Sequence, residues 1–171
     1  MIFWFDMDGV IVRYERWAYR GENPKFQVLG SHYYRTCKLD LKIVEVMKEL
    51  NKIEKIGILT KVSKGKDIQK EQIEDKVWWL NKNCPFINVE KQLVVTTDNK
   101  GELPICKGNV LIDDYNDNLN DWFNGGGIPV KYLNGVNSYN LFKDGYMINR
   151  SMSVGDIIKY LRKVQEGILC V

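Results

Sequence analysis

The stretch Ile2-Phe-Trp-Phe-Asp6-Met-Asp8-Gly9-Val10 decides the fold prediction, because a short apolar run ends abruptly in two acidic residues. Four apolar residues in succession are typical of a strand that is buried on both faces of a sheet. Asp6 and Asp8 follow directly, and Gly9 allows the backbone angles that a sharp loop requires. The sequence therefore predicts a first strand at residues 2–5 that delivers two carboxylates to the edge of a sheet.

Further apolar runs of the same kind alternate with helical patterns. They occupy residues 56–59, 93–96, 110–112 and 128–133. Apolar residues recur at helical spacing after Asp40, Asp67 and Ser153. Ser153 and Asp156 also have the spacing of a capped helix start. Strands that alternate with helices favour a parallel sheet flanked by helices, so we predict an α/β fold with five parallel strands.

Length and composition indicate one globular domain. The chain has 171 residues, of which 44% are hydrophobic, and this is enough apolar surface for one core. We expect residues 1–171 to form a single domain with a small insertion at residues 13–38, which shows no clear period. The aromatic residues of the insertion either line a lid over a substrate or form the lid's own small core. The lid candidates are Trp17, Phe26, Tyr33 and Tyr34.

The charge pattern argues against large charged partners. The chain has 25 Lys and Arg against 22 Asp and Glu, and it has no basic patch concentrated enough to predict nucleic-acid or membrane binding. The apolar run at residues 2–5 is too short for a signal peptide or a membrane span, so we expect a cytoplasmic protein. The four cysteines lie far apart in the sequence and are predicted to be free thiols rather than zinc ligands.

Polar residues stand where the predicted strands end. Thr60 follows the second strand, Asp113 and Asp114 follow the fourth, and Lys100 comes after the third. Because the carboxyl ends of parallel strands share one edge of the sheet, these side chains should converge on the two acids of the first strand. Like charges at a buried edge are costly unless a metal ion or hydrogen bonds compensate for them. The pattern predicts a polar site at this edge.

Taken in order, these residues resemble the four motifs of the haloacid dehalogenase superfamily of phosphotransferases. The motifs are Asp6-Met-Asp8-Gly9-Val10, Thr60, Lys100 and Asp113-Asp114. Later segments are similar to the bacterial and phage branch of cytosolic type C 5'(3')-deoxyribonucleotidases. These segments are residues 111–119, Trp122, Gly125-Gly126 and Asn134-Gly-Val-Asn137. The resemblance covers most of the chain and implies a Rossmann-like fold with a small cap inserted after the first strand.

The resemblance also implies hydrolysis of a phosphomonoester through an aspartyl-phosphate. Asp6 would be the nucleophile, and Asp8 would protonate the leaving group and then activate a water molecule. Thr60 would hold a phosphate oxygen, and Lys100 would balance the charge of the carboxylates and the phosphate. Mg²⁺ would bind to Asp6, to the backbone carbonyl of Asp8 and to Asp113, because this hard cation prefers oxygen ligands.

Within this resemblance some roles stay open. Asp114 would orient a water molecule or a metal ligand, whereas Asp117 either does the same or caps the following helix. Lys100 is assigned by its order along the chain, so Lys107 or Lys76 could take its place.

The implied substrate is a small phosphorylated molecule, most directly a nucleoside or deoxynucleoside 5'-monophosphate. Another small phosphometabolite or a nucleic-acid end is the alternative, because a small lid excludes bulky substrates less effectively. A non-catalytic binding protein of the same fold is the remaining alternative, but such a chain would be expected to lose a motif aspartate, and none is lost here. The sequence leaves the preferred base, the preferred sugar and the oligomeric state open.

Overall fold

The computed structural model of the protein describes residues 1–13, 32–136 and 145–167. The strands in these ranges are β1 (Phe3–Phe5), β2 (Val12–Arg13), β3 (Lys38–Leu39), β4 (Ile56–Lys61), β5 (Leu93–Thr96), β6 (Val110–Asp113), β7 (Ile128–Leu133) and β8 (Tyr146–Asn149). The helices are α1 (Tyr33–Thr36), α2 (Leu41–Leu50), α3 (Lys66–Asn83), α4 (Val89–Gln92), α5 (Asn116–Asn124) and α6 (Val154–Gln165). A 3₁₀ turn at Lys100–Glu102 follows β5.

A six-stranded sheet in the order β5-β4-β1-β6-β7-β8 forms the centre of the fold. Every neighbouring pair in this sheet is parallel. β1 lies in the middle, with Phe5 opposite Ile58 of β4 and Ile112 of β6. The carboxyl ends of β4, β1 and β6 therefore lie side by side. β2 and β3 form a separate antiparallel pair on either side of the insertion.

The predicted α/β class with a parallel sheet flanked by helices is confirmed, but the sheet has six strands instead of five. The five predicted strands correspond to β1, β4, β5, β6 and β7. The additional strand, β8, lies at the edge of the sheet and has Ile148 as its one buried side chain. A four-residue edge strand with a single buried residue lacks the apolar run that marks the other strands.

The central strand packs on both faces, which explains why its sequence is continuously apolar. Phe3 and Phe5 lie in a large core with residues of α2, α3 and α6, such as Met47. Trp4 points to the opposite face and packs in a smaller core with Trp122 of α5. Successive side chains of a strand point to opposite faces, so one three-residue strand joins the two cores.

Side-chain caps begin α2 and α6, and the cap of α6 lies at the position that the sequence predicts. Asp40 Oδ1 accepts a hydrogen bond from the Ile43 backbone N at 3.3 Å at the start of α2. Ser153 Oγ accepts from the Asp156 backbone N at 3.1 Å and donates to Asp156 Oδ2 at 2.6 Å at the start of α6. Each cap satisfies a backbone N–H that the first turn of the helix leaves unpaired.

None of the helices in the described ranges combines the length and the apolar character that a membrane crossing requires.

Two glycines offer a matched test of this packing. A Cβ at Gly57 of β4 would lie 2.3 Å from Cζ3 of Trp4, whereas a Cβ at Gly155 in the first turn of α6 has no atom closer than 4.0 Å. We expect Gly57→Ala to lower the free energy of unfolding by about 1–3 kcal/mol, because the substitution overpacks a core. Gly155→Ala should leave it unchanged or raise it by up to about 1 kcal/mol, because alanine favours helix. Urea unfolding measures both changes, and an unchanged Gly57→Ala variant would contradict the packing.

Candidate active site

The carboxyl ends of the three central strands bring polar side chains together at one edge of the sheet. Asp6 follows β1, Thr60 lies near the end of β4, and Asp113 ends β6. All three residues are buried. This arrangement follows from the register, because the last residue of β1 lies beside Ile58 and Ile112, two residues and one residue before Thr60 and Asp113.

Lys100 joins two of these acids. Its Nζ donates to Asp6 Oδ1 at 2.5 Å and to Asp113 Oδ2 at 2.7 Å, and the side chain is fully buried. Gly101 allows the 3₁₀ turn to pack against α5, since a Cβ there would lie 1.8 Å from the carbonyl oxygen of Asp121. Burial alone would lower the pKa of Lys100, but the charges of Asp113 and Asp6 outweigh burial and raise the pKa. Lys100 is therefore a permanent cation between two acids.

Asp6 lies in a strongly unfavourable place for a carboxylate. Burial raises its pKa most, the charge of Lys100 lowers it, and the charges of Asp113 and Asp8 raise it again, so that the pKa ends well above its usual value. Additional positive charge at this position would stabilise the ionised form of Asp6.

Asp113 is held by the start of α5 as well as by Lys100. Its Oδ1 accepts a hydrogen bond from the Tyr115 backbone N at 2.9 Å, and its Oδ2 accepts from Asn118 Nδ2 at 3.0 Å. These bonds fix the carboxylate because both oxygens have donors from the element that follows β6.

The neighbouring Asp114 is fixed by β7 and the residue after it. Asn134 Nδ2 donates to Asp114 Oδ2 at 2.7 Å and to the carbonyl oxygen of Gly9 at 2.9 Å. Gly9 has φ +83°, and a Cβ there would lie 2.3 Å from Asp114 Oδ2, so only glycine fits between the two loops. Lys131 of β7 donates to the Asp114 carbonyl oxygen at 2.5 Å and to Asn116 Oδ1 at 2.6 Å. The sequence analysis assigned no role to Asn134 or Lys131.

Three buried carboxylates form a cluster that could bind a metal ion. Oxygen atoms of Asp6, Asp113 and Asp114 all lie within 4.8 Å of one another. The structure gives Asp6 Oδ2 no hydrogen-bond partner among the residues that it describes. The sequence analysis expected Asp114 to orient a water molecule or a metal ligand, whereas the structure places its carboxylate in the cluster itself. The Asp8 carboxylate does not, so the predicted contact of the metal with Asp8 rests on its backbone carbonyl.

Lys76 joins the remaining two motif residues. It lies on α3, is fully buried, and donates from Nζ to Asp8 Oδ2 and, at 2.7 Å, to Thr60 Oγ1. The ring of Tyr34 covers the ammonium group, with 4.4 Å from Nζ to the ring centroid. Lys100 and Lys76 therefore do not compete for one position, because each occupies its own half of the site.

The buried face of α3 is partly polar. Of the apolar residues that recur at helical spacing after Asp67, Leu80 is buried, whereas Ile73 and Val77 are only half-buried. The buried positions also include the polar residues Gln72, Asp75 and Lys76. These three residues and Trp79 recur at the helical spacing of three and four, which is the signal that could have identified this face.

The described end of the insertion forms hydrogen bonds with α3. Asp75 Oδ1 accepts from Arg35 Nε at 2.6 Å and lies 2.8 Å from His32 Nδ1. Tyr34 is buried, and Tyr33 packs edge-on against it with 5.6 Å between ring centroids. Of the lid candidates, Tyr34 therefore lies beside Lys76, with its ring over the ammonium group. Of the other lid candidates, Trp17 and Phe26 lie outside the described residues.

Lys107 and Asp117 are both exposed. Asp117 lies in the first turn of α5, and a hydrogen bond with its side chain raises the pKa of Tyr115. The helix starts at Asn116, so Asp117 occupies the first turn and not the capping position. Neither residue belongs to the acidic cluster.

Comparison with known proteins identifies the fold. No protein-family model matches the sequence, and no curated protein is similar to it in sequence. Among solved structures, D,D-heptose 1,7-bisphosphate phosphatase from Burkholderia thailandensis is similar, with a TM-score of 0.59 and 12% sequence identity. The similarity covers 94% of this chain and 97% of that chain. At this level of identity, it shows that the two proteins share their fold.

Proposed function

We propose that the protein is a Mg²⁺-dependent phosphomonoester hydrolase that acts through an aspartyl-phosphate. The observation that carries the proposal is the contact of Lys100 with both Asp6 and Asp113 beside Asp114 at the carboxyl edge of the sheet. Ligands of open α/β sheets bind at this edge. Phosphoryl transfer to a carboxylate needs a nucleophile, positive charge and a proton for the leaving group. The shared fold of a bisphosphate phosphatase supports the same reaction class.

In the first step a carboxylate oxygen of Asp6 attacks phosphorus, and the bond between phosphorus and the leaving oxygen breaks. Asp8 gives a proton to that oxygen, so the product alcohol leaves neutral. Lys100 keeps its charge beside the nucleophile and offers one N–H with no acceptor among the described residues, which suits a phosphate oxygen. In the second step water attacks the aspartyl-phosphate, Asp8 takes its proton, and inorganic phosphate leaves Asp6.

The acidic cluster fits a Mg²⁺ ion. All its donors are oxygens, they lie close together, and burial makes their mutual repulsion costly. Asp6, Asp113 and Asp114, with the Asp8 carbonyl, would hold the ion. When bound, it supplies the positive charge that neutralises the transferring phosphoryl group and favours the ionised nucleophile.

We propose a nucleoside or deoxynucleoside 5'-monophosphate as the substrate, because four segments between residues 111 and 137 are similar to the type C nucleotidases. These segments are residues 111–119, Trp122, Gly125-Gly126 and Asn134-Gly-Val-Asn137. A sugar phosphate is the second candidate, and the structural neighbour, which acts on a heptose bisphosphate, favours it. We also propose a cytoplasmic location. The free thiols of Cys37, Cys84 and Cys106 fit a reducing compartment.

The first experiment tests the nucleophile. Purified protein is assayed for phosphate release from nucleoside monophosphates and sugar phosphates in the presence of Mg²⁺. We expect Asp6→Asn to lower kcat by at least about 10³-fold, because the amide cannot form the aspartyl-phosphate. The matched control is Asp98→Asn, which changes an exposed aspartate and should retain full activity. Undiminished turnover in Asp6→Asn would refute the nucleophile assignment.

The second experiment tests the metal. A chelator should abolish phosphate release, and added Mg²⁺ should restore it. Asp114→Asn should raise the Mg²⁺ concentration that gives half-maximal activity by about 10–100-fold, because the substitution removes a negative charge from the cluster. The thermal unfolding temperature of the wild-type protein should also rise with Mg²⁺, and less so in the variant. Activity that survives exhaustive chelation would contradict the metal site.

A further inference from the structure

We propose that Lys76 is a positioning residue for Asp8: it holds Oδ2 of the carboxylate so that Oδ1 faces the leaving group. The proposal rests on the proposed function and adds a second lysine with a distinct task. Lys100 serves the nucleophile and the metal-binding acids, whereas Lys76 serves proton transfer.

The first argument is that the contacts of Lys76 leave it no hydrogen to offer a phosphate. A lysine ammonium group has three N–H donors. One points to Asp8 Oδ2, one to Thr60 Oγ1, and the third side of the group is covered by the Tyr34 ring. Lys100 also has two acceptors, but no aromatic ring among the described residues covers its third N–H. Of Lys76 and Lys100, Lys100 is therefore the one suited to bind the transferring group.

The second argument comes from the other oxygen of Asp8. Oδ1 is buried, and no hydrogen-bond partner reaches it from the residues that the structure describes. Leaving a buried polar atom without a hydrogen-bond partner is destabilising, so most such atoms have one. A catalytic atom that bonds to the substrate during the reaction is an expected exception. Because Lys76 donates to Oδ2, turning the carboxylate to bring Oδ1 to another donor would break this contact.

In the proposed reaction, Asp8 Oδ1 is the atom that gives and takes the proton. As Asp6 bonds to phosphorus, the electron pair of the breaking bond moves to the leaving oxygen, and the proton on Asp8 Oδ1 moves to the same oxygen. When water later attacks phosphorus, its proton returns to Oδ1 and the bond to Asp6 breaks. Asp8 therefore ends the cycle as it began, and Lys76 makes no covalent bond.

The position of Lys76 is itself secured by the structure around it. Asp75 precedes it on α3 and holds Arg35 and His32, so that α1 keeps Tyr34 over the ammonium group. Cation–π contact stabilises the buried charge on the side that has no oxygen acceptor.

The test compares two leaving groups. An alkyl phosphate, chosen as the best substrate of the screen, needs a proton on its leaving oxygen, whereas 4-nitrophenyl phosphate releases a stable phenolate without one. The measured quantity is kcat/KM, which reports the steps up to formation of the aspartyl-phosphate. We expect Lys76→Met to lower it by about 100-fold for the alkyl phosphate and by less than about 5-fold for 4-nitrophenyl phosphate. Lys70→Met changes an exposed lysine of the same helix and should leave both values unchanged.

A second variant keeps the test decisive if Lys76→Met does not fold. Lys76→Gln retains N–H donors without the charge, and it should show the same preference for the aryl substrate with a smaller loss on the alkyl one. Thermal unfolding of each variant identifies a folding defect. Equal losses on both substrates would overturn the positioning role and indicate phosphate binding instead, while no loss would show that Lys76 is not needed. If the wild-type protein hydrolyses no phosphomonoester at all, the proposed function fails, and this inference fails with it.

Discussion

The site depends on one interaction, the contact of Lys100 with Asp6 and Asp113. Parallel strands bring these two acids to the same buried edge, where like charges repel strongly because little water screens them. Lys100 lies within 2.7 Å of both and is itself fully buried. Removing one member of such a buried ionic group typically costs about 3–5 kcal/mol, so the lysine stabilises the fold as well as the reaction. Gly101 lets the turn that carries Lys100 pack directly against the backbone of α5.

In the other half of the site, the partly buried carboxylate of Asp8 also needs a cation, and α3 provides it. Lys76 of α3 donates hydrogen bonds to Asp8 and Thr60, and the ring of Tyr34 covers the third side of its ammonium group. Because Asp75 of the same helix fastens α1, one helix positions both the lysine and its cover. The two lysines thus divide the site into a nucleophile half and a proton-transfer half. Each half has its own cation, but the two halves remain coupled, because the charge of Asp8 raises the pKa of Asp6.

Much of this arrangement could be predicted from the sequence, because it follows from strands. The apolar runs indicated five of the six strands of the central sheet, and the rule that parallel strands end at one edge predicted that Asp6 and Asp113 would meet. The role of Lys76 could not be predicted in this way, since it depends on a contact across 68 residues of chain. The contacts of Asn134 could not be predicted for a similar reason. The segment that begins at Asn134 contributed to the resemblance, but its partners Gly9 and Asp114 become visible only when the two loops lie together.

The polar face of α3 shows what kind of signal remains in such cases. A helix that covers a parallel sheet normally turns an apolar stripe inward, because an unpaired polar group in a core is destabilising. Gln72, Asp75 and Lys76 follow the spacing of an inward stripe and are buried. A helix can retain such residues only if it faces partners that satisfy them, and here those partners are Ser63, the described end of the insertion, and Asp8 with Thr60. A polar stripe at helical spacing next to strand-end acids therefore indicates a helix that faces a charged site rather than a helix in contact with solvent.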